Sequence, residues 1–176
     1  NQHSTNHNRI VEINKHQRGD EFSKCNIEHF SKRIRAFVKI EDGCDRFCSY
    51  CIIPMSRGRV RSKSLEDLKT EISALAANGI KEVVLVGINL SSYGKGLDFN
   101  LVDAVKICND TEGILRVRLG SLEPDHITNE VIKGLSECPK LCPQFHISLQ
   151  SGCDKTLKIM NRHYDSGEYK ALCKSL

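Results

Sequence analysis

The sequence predicts an α/β fold built on a parallel sheet, and three observations lead there. From Arg35 onward, short apolar or β-branched runs alternate with longer helical patterns, as strands joined by crossover helices do. The runs are short and rich in Val, Ile and Leu, which suits buried parallel strands. The polar and cysteine-bearing motifs fall just after these runs, at the strand ends where parallel α/β folds carry their sites.

Residues 35–40 read as the first strand. A helix follows over residues 64–78, with Leu65, Leu68, Ile72, Leu75 and Ala76 on one face, a Ser64/Asp67 pairing like a capping box, and Gly79 as the stop. Residues 81–86, 115–119 and 145–149 are the next strands, separated by helices near 100–108 and 128–137. Further helical stretches run over 154–160 and from about Ser166. The result is about four βα units with no repeat of fixed period.

Residues 1–34 are polar and rich in His, Asn, Lys and Glu, the composition of a linker or tether, leaving residues 35–176 as the folded unit. The chain starts with Asn1 and stops at Leu176 inside a helical pattern, so the expectation is a piece of a longer protein. With 39% apolar and 27% charged residues over 176 positions, it has an ordinary globular balance and enough length for a core. Nothing in this balance suggests a fibrous, mucin-like or membrane protein, and no uninterrupted apolar run approaches the length of a membrane helix. A signal peptide is not recognisable, so a cytoplasmic location is expected. In that setting nine cysteines read as reduced thiols and metal ligands.

A net charge of +4 is too mild to identify a nucleic-acid binder. Arg57, Arg59, Arg61 and Lys63 form one local run, read as a solvated connection before a helix or as a phosphate contact.

The most informative segment is Ile40-Glu-Asp-Gly-Cys-Asp-Arg-Phe-Cys-Ser-Tyr-Cys-Ile-Ile-Pro54. Cys44, Cys48 and Cys51 place three thiols in eight residues, with gaps of three and two. Three thiolates are one short of a closed zinc site, and the gaps differ from the ferredoxin run. Extended, the eight residues from Cys44 to Cys51 could span up to about 26 Å, so the thiols converge only if the chain curls, which Gly43 favours. A cubane [4Fe-4S] cluster with one iron left open fits this set best.

These residues resemble the radical S-adenosylmethionine superfamily, whose motif has this spacing with an aromatic, here Tyr50, before the last Cys. Arg35-Ala-Phe-Val-Lys-Ile-Glu-Asp-Gly-Cys44, Cys51-Ile-Ile-Pro54, Val86-Gly-Ile-Asn-Leu-Ser-Ser-Tyr-Gly94, Ser121-Leu-Glu-Pro124, Leu149-Gln-Ser-Gly152 and Met160-Asn-Arg162 are similar to the methylthiotransferases. Among these, the resemblance is strongest to the branch acting on N6-threonylcarbamoyladenosine in tRNA. It implies a partial, TIM-like parallel barrel of six units, of which this chain carries the first four.

The resemblance also implies roles. Cys44, Cys48 and Cys51 would be the cluster ligands, and the open iron would bind the amino and carboxylate groups of S-adenosylmethionine, whose cleavage gives a 5′-deoxyadenosyl radical. Tyr50 either packs beside the cluster or lies against the adenine. Gly87-Ile-Asn89 stands where the superfamily has a glycine-rich element near the methionine amino group. Glu123 is either a helix-start acid or a ligand to the cofactor amino or ribose group. Gln150 and Ser151 leave the fourth strand well placed for a ribose. Arg162 is either a helix-end cation or a bidentate partner for the methionine carboxylate.

Outside the motifs, Cys108, Cys153 and Cys173 read as packing residues. Cys138 and Cys142 flank a proline turn without visible metal partners, and His126, His146 and His163 lack ligand spacing. Cys25 reads as incidental.

The expected activity is insertion of a methylthio group at C2 of the hypermodified adenosine beside the anticodon. The partners this implies are tRNA and an electron donor; a second [4Fe-4S] cluster is expected on an N-terminal domain outside this chain. Two alternatives stay open: the relative that methylthiolates an aspartate of a ribosomal protein, and a non-catalytic iron–sulfur or RNA-binding fragment.

Overall fold

The computed structural model describes residues 16–17, 20–23 and 34–176. Most of the tether expected over residues 1–34, including Cys25, lies outside the described residues. Of the part inside, Phe22 lies beneath the ammonium groups of Lys39 and Lys63, each 5.7 Å from its ring centre.

Three parallel strands form the main sheet: β1 (Arg35–Lys39), β4 (Glu82–Val86) and β5 (Arg116–Leu119), in the order β1-β4-β5. Arg35 stands opposite Glu82 and Glu82 opposite Arg116, so the strands begin level. Along β1, Ala36 and Val38 are buried while Arg35, Phe37 and Lys39 are exposed, the alternation that places one face on a core. That core includes Val83, Leu85, Val117 and Leu119 from the neighbouring strands.

Two amphipathic helices cover this face. Helix α2 (Leu65–Ala77) contributes Leu68, Ile72 and Leu75, and α3 (Leu101–Asp110) contributes Ala104, Val105 and Cys108. Ser64 caps α2 by accepting from the Asp67 N–H at 3.1 Å, and Gly79 ends it with φ of +86°. Helix α3 has a full capping box between Asn100 and Asp103. Thr128 caps α4 (Asn129–Ser136), and Asp165 caps α6 (Ser166–Ser175); α5 (Asp154–Ile159) is shorter. These five helices lie within two residues of their expected bounds.

The fourth strand is shorter than expected. Residues 145–149 yield only β7 (His146–Ile147), which pairs in parallel with β6 (Ser121–Leu122), just beyond β5. Upstream, the Cys142 N–H donates to the Val117 carbonyl at 2.9 Å, but Pro143 follows without an N–H and the ladder stops. The strand order still runs first, second, third, fourth, as in an opening barrel.

Two small elements were not expected. β2 (Glu41–Asp42) and β3 (Arg61–Ser62) pair antiparallel and pinch residues 43–60 into a loop that contains α1 (Ile53–Ser56). Asp42 reinforces the pinch, with Lys39 at 2.7 Å, Arg61 at 3.5 Å and Arg57 at 4.0 Å.

Several readings are corrected here. Lys63 is not part of a solvated run: it is 2% exposed and paired with buried Glu71 on α2. Cys108 is buried as expected, but Cys153 and Cys173 are exposed, because Leu157 and Leu172 take the inward positions of α5 and α6. Among the described residues no helix is long and apolar enough to cross a membrane.

Candidate cluster and cofactor site

The pinched loop carries the three thiols to the C-terminal end of β1. Gly43 opens it with φ of +88°, and a Cβ there would stand 2.0 Å from the Arg59 carbonyl oxygen, so only glycine fits this turn. The Cys44 N–H donates to the Gly58 carbonyl at 3.0 Å, and the Cys51 N–H to the Cys48 carbonyl at 3.0 Å. All three thiols are half-buried.

The loop is gripped from the segment after α5. The Ser49 N–H donates to the Met160 carbonyl at 3.1 Å, and the Asn161 amide donates to the carbonyls of Arg46 and Phe47 at 3.3 and 3.0 Å. Among the described residues, the non-glycine positions with left-handed backbone are Phe47, Gln150 and Asn161. Each costs on the order of 1 kcal/mol, and such strain gathers where function over-determines the backbone.

Donors face two of the sulfurs. Arg162 Nη1 lies 3.2 Å from Cys48 Sγ, and the Asn89 amide 3.8 Å from Cys44 Sγ. Asn89 is held in turn: its N–H donates to Glu41 Oε2 at 2.7 Å and its amide to Ser92 Oγ at 2.8 Å. Burial pushes the Cys44 thiol up, as it must for a thiol without a cation beside it.

Arg162 is the centre of the site. Its other nitrogen pairs with Glu123, its Nε donates to the Tyr164 hydroxyl at 3.3 Å, and its guanidinium lies 5.1 Å from the Tyr164 ring centre. Burial opposes its charge, but Glu123, the Tyr164 hydroxyl and the Cys48 sulfur hold it, so its pKa rises. Burial likewise pushes Glu123 up, and Arg162 and Arg46 pull it back only in part. Tyr164 donates to the carbonyls of Ser148 and Leu149, joining Arg162 to the end of the fourth strand.

Cys48, Glu123 and Arg162 are therefore brought together, and Tyr50 joins them: it is 53% exposed, and Arg162 opposes the upward push that burial gives its phenol. Gln150 and Ser151 sit on the next strand end in a separate turn, where Ser151 Oγ accepts from the Cys153 N–H at 3.1 Å.

Sequence reasoning missed Arg46 and Tyr164. Arg46 is 8% exposed; its Nη1 lies 3.3 Å from His126 Nε2 and 3.1 Å from His163 Nδ1, and its Nη2 pairs with Asp125. A charged residue inside a cysteine loop gives no signal of partners about 80 to 117 positions away.

The residues present fit a cluster held by three thiolates. Amide and guanidinium donors at the sulfurs stabilise thiolate charge, and the glycine turn curls the chain as convergence requires. Among the described residues no three His, Cys, Asp or Glu side chains are close enough to hold one metal ion. A cubane asks for a wider set, since each thiolate binds a different iron. Buried Glu41 Oε1, Asp45 Oδ1 and Asn89 Oδ1 have no hydrogen-bond partner, an unusual concentration of free acceptors around Cys44.

Known proteins resemble this chain in sequence and in fold. The Radical SAM superfamily profile matches residues 38–176. The chain is 43% identical over 145 residues to the tRNA-2-methylthio-N(6)-dimethylallyladenosine synthase of Clostridium beijerinckii, covering 81% of this chain and 32% of that protein. It is 42% identical over 141 residues to the threonylcarbamoyladenosine tRNA methylthiotransferase MtaB of Thermotoga maritima, covering 80% and 32%. The chain thus spans about a third of the length of these relatives. In fold it matches the cobalamin-dependent S-adenosylmethionine radical enzyme OxsB with TM-score 0.64 at 14% identity, over 79% of this chain and 21% of that one. The radical S-adenosylmethionine methyltransferase TsrM of Kitasatospora setae gives 0.63 at 17%, over 79% and 28%.

Proposed function

We propose, from the premise that this chain belongs to the Radical SAM superfamily, that it is the radical-forming part of a tRNA methylthiotransferase. The observation that carries the proposal is the contact of Cys48, Arg162 and Glu123, which joins the three-thiol loop to an ion pair at the third strand end. An Arg–Glu pair complements a zwitterionic amino-acid group: Arg162 faces its carboxylate and Glu123 its ammonium. S-adenosylmethionine has such an end. Cys44, Cys48 and Cys51 would hold the [4Fe-4S] cluster, Tyr50 would flank the adenine, and Gln150 and Ser151 would take the ribose. Bound together, cluster and cofactor supply a 5′-deoxyadenosyl radical; the chain's task is to orient the cofactor and exclude water.

Identity of 42–46% to tRNA methylthiotransferases, in the segment bearing the thiol loop, supports the substrate class. Within that class, N6-threonylcarbamoyladenosine beside the anticodon is the finer reading, with the methylthio group added at C2. That substituent carries a carboxylate, and exposed cations rim the loop at Arg57, Arg59 and Lys95. A second reading, the dimethylallyl adenosine, is favoured by the exposed apolar side chains of Phe47, Ile52 and Met55 on the same loop. The reaction would run in the cytoplasm, with tRNA, an electron donor and a second [4Fe-4S] cluster on another domain.

Expressing the chain together with the domain that carries the second cluster in a bacterium lacking both tRNA methylthio modifications, then analysing its tRNA nucleosides by mass spectrometry, tests this. The proposal expects 2-methylthio-threonylcarbamoyladenosine. The dimethylallyl product would establish the second reading, and a methylthiolated ribosomal-protein aspartate with unchanged tRNA would move the function to a protein substrate.

A further inference from the structure

The guanidinium of Arg46 lies inside the thiol loop yet makes its side-chain contacts elsewhere. Nη1 meets His126 at 3.3 Å and His163 at 3.1 Å; Nη2 pairs with Asp125 and lies 3.8 Å from Glu123. A guanidinium can only donate, so in both contacts the imidazole nitrogen is the acceptor. Burial lowers the pKa of His126, consistent with a neutral ring. The partners come from two elements: Glu123, Asp125 and His126 end the third strand, and His163 adjoins Arg162. The side-chain exposure of Arg46 is 9%, so these contacts are made largely out of water.

We propose that Arg46 is a positioning residue for the cofactor: it fixes the three-thiol loop against the Glu123–Arg162 pair, setting the distance between the cluster and the groups that bind the cofactor's amino-acid end. The inference rests on the reading of Cys44, Cys48 and Cys51 as cluster ligands. The geometry separates two functions. The Met160 carbonyl and the Asn161 side-chain amide grip the loop's backbone from the segment after α5, whereas Arg46 ties the loop by its side chain to Asp125, His126 and His163, beside Glu123. Losing Arg46 should leave cluster assembly intact and weaken cofactor binding. Lysine restores the charge but cannot fork between two imidazoles and a carboxylate, so its effect should be intermediate.

The test uses the chain reconstituted anaerobically with iron and sulfide, as wild type, Arg46→Gln, Arg46→Lys and His163→Leu. Iron and sulfide content reports the cluster, calorimetric titration with S-adenosylmethionine reports affinity, and the EPR spectrum of the reduced cluster reports the contact. The expected result is wild-type iron content in Arg46→Gln, with affinity at least tenfold weaker and a smaller cofactor-induced spectral shift. Arg46→Lys should fall between, and His163→Leu should lose about threefold. Affinity within twofold of wild type in Arg46→Gln would overturn the proposal. So would loss of the cluster in that variant, if His163→Leu bound the cofactor like wild type. A wild-type chain that takes up no cluster, or binds no cofactor once loaded, would instead overturn the reading beneath it.

Discussion

Arg162 donates a guanidinium hydrogen to the sulfur of Cys48 across 3.2 Å, although the two residues are 114 positions apart. With its other nitrogen on Glu123, this one side chain spans the thiol loop and the third strand end. A fork of this kind has no equivalent in lysine or methionine. Arg162→Met should load a cluster but bind S-adenosylmethionine more weakly by at least about tenfold, the loss of one charge-assisted contact. Unchanged affinity by calorimetry would remove Arg162 from the cofactor site.

Gly43→Ala addresses the loop itself. The new methyl would meet the Arg59 carbonyl at 2.0 Å in a left-handed turn, so the backbone must move. Such strain costs on the order of 1–3 kcal/mol, and here it falls next to Cys44. Iron content after reconstitution should drop sharply while the far-ultraviolet dichroism of the sheet and helices persists. Full loading would show that the loop tolerates another path.

Lys63 and Glu71 form a buried ion pair, with side chains 2% and 3% exposed. Removing one member of such a buried pair takes away the other charge's nearest counter-charge, a loss of up to about 3–5 kcal/mol. Lys63→Met should therefore unfold at much lower denaturant concentration than wild type. A loss below about 1 kcal/mol would mean that Glu71 is neutralised by other means.

Glu41 gives the metal-free chain a pH signature. Burial pushes its carboxyl from 4.5 up to about 7, against the donating N–H of Asn89. Between those values the folded chain binds more protons than the unfolded chain, so this contribution to stability falls as pH rises. The loss approaches about 3 kcal/mol by pH 8. In denaturant titrations, Glu41→Gln should become progressively more stable than wild type from pH 5 to pH 8. Parallel pH curves for the two proteins would contradict the assignment.

The α/β alternation was legible because its signals are local. Ser64, Asn100, Thr128 and Asp165 each cap a helix within three residues of themselves; the first two strands carry short apolar runs at 36–38 and 83–86, and the third alternates as Leu115-Arg-Val-Arg-Leu119. The fourth run was over-read: of residues 145–149 only His146 and Ile147 pair with Ser121 and Leu122, while Leu141 bridges Val117 upstream and Pro143, which has no N–H, separates the two contacts. The β2–β3 clasp escaped notice because two-residue polar strands carry no periodicity.

At the site, the sequence shows three thiols placed in one short loop, and the fold keeps that loop at the end of the first strand. Lys63 was misread as solvated because a charge run looks the same whether or not a buried Glu71 waits on the next helix. Arg46 was missed for a similar reason: its partners are assembled only by the fold, from the third strand end and the segment after α5. Composition cannot announce such convergence.

The most direct test of the central claim is the EPR spectrum of the anaerobically reconstituted, reduced chain, recorded with and without S-adenosylmethionine. The account predicts a [4Fe-4S] signal that shifts when the cofactor is added and is lost in Cys44→Ala, Cys48→Ala and Cys51→Ala. A folded chain that assembles no cluster under these conditions would contradict it.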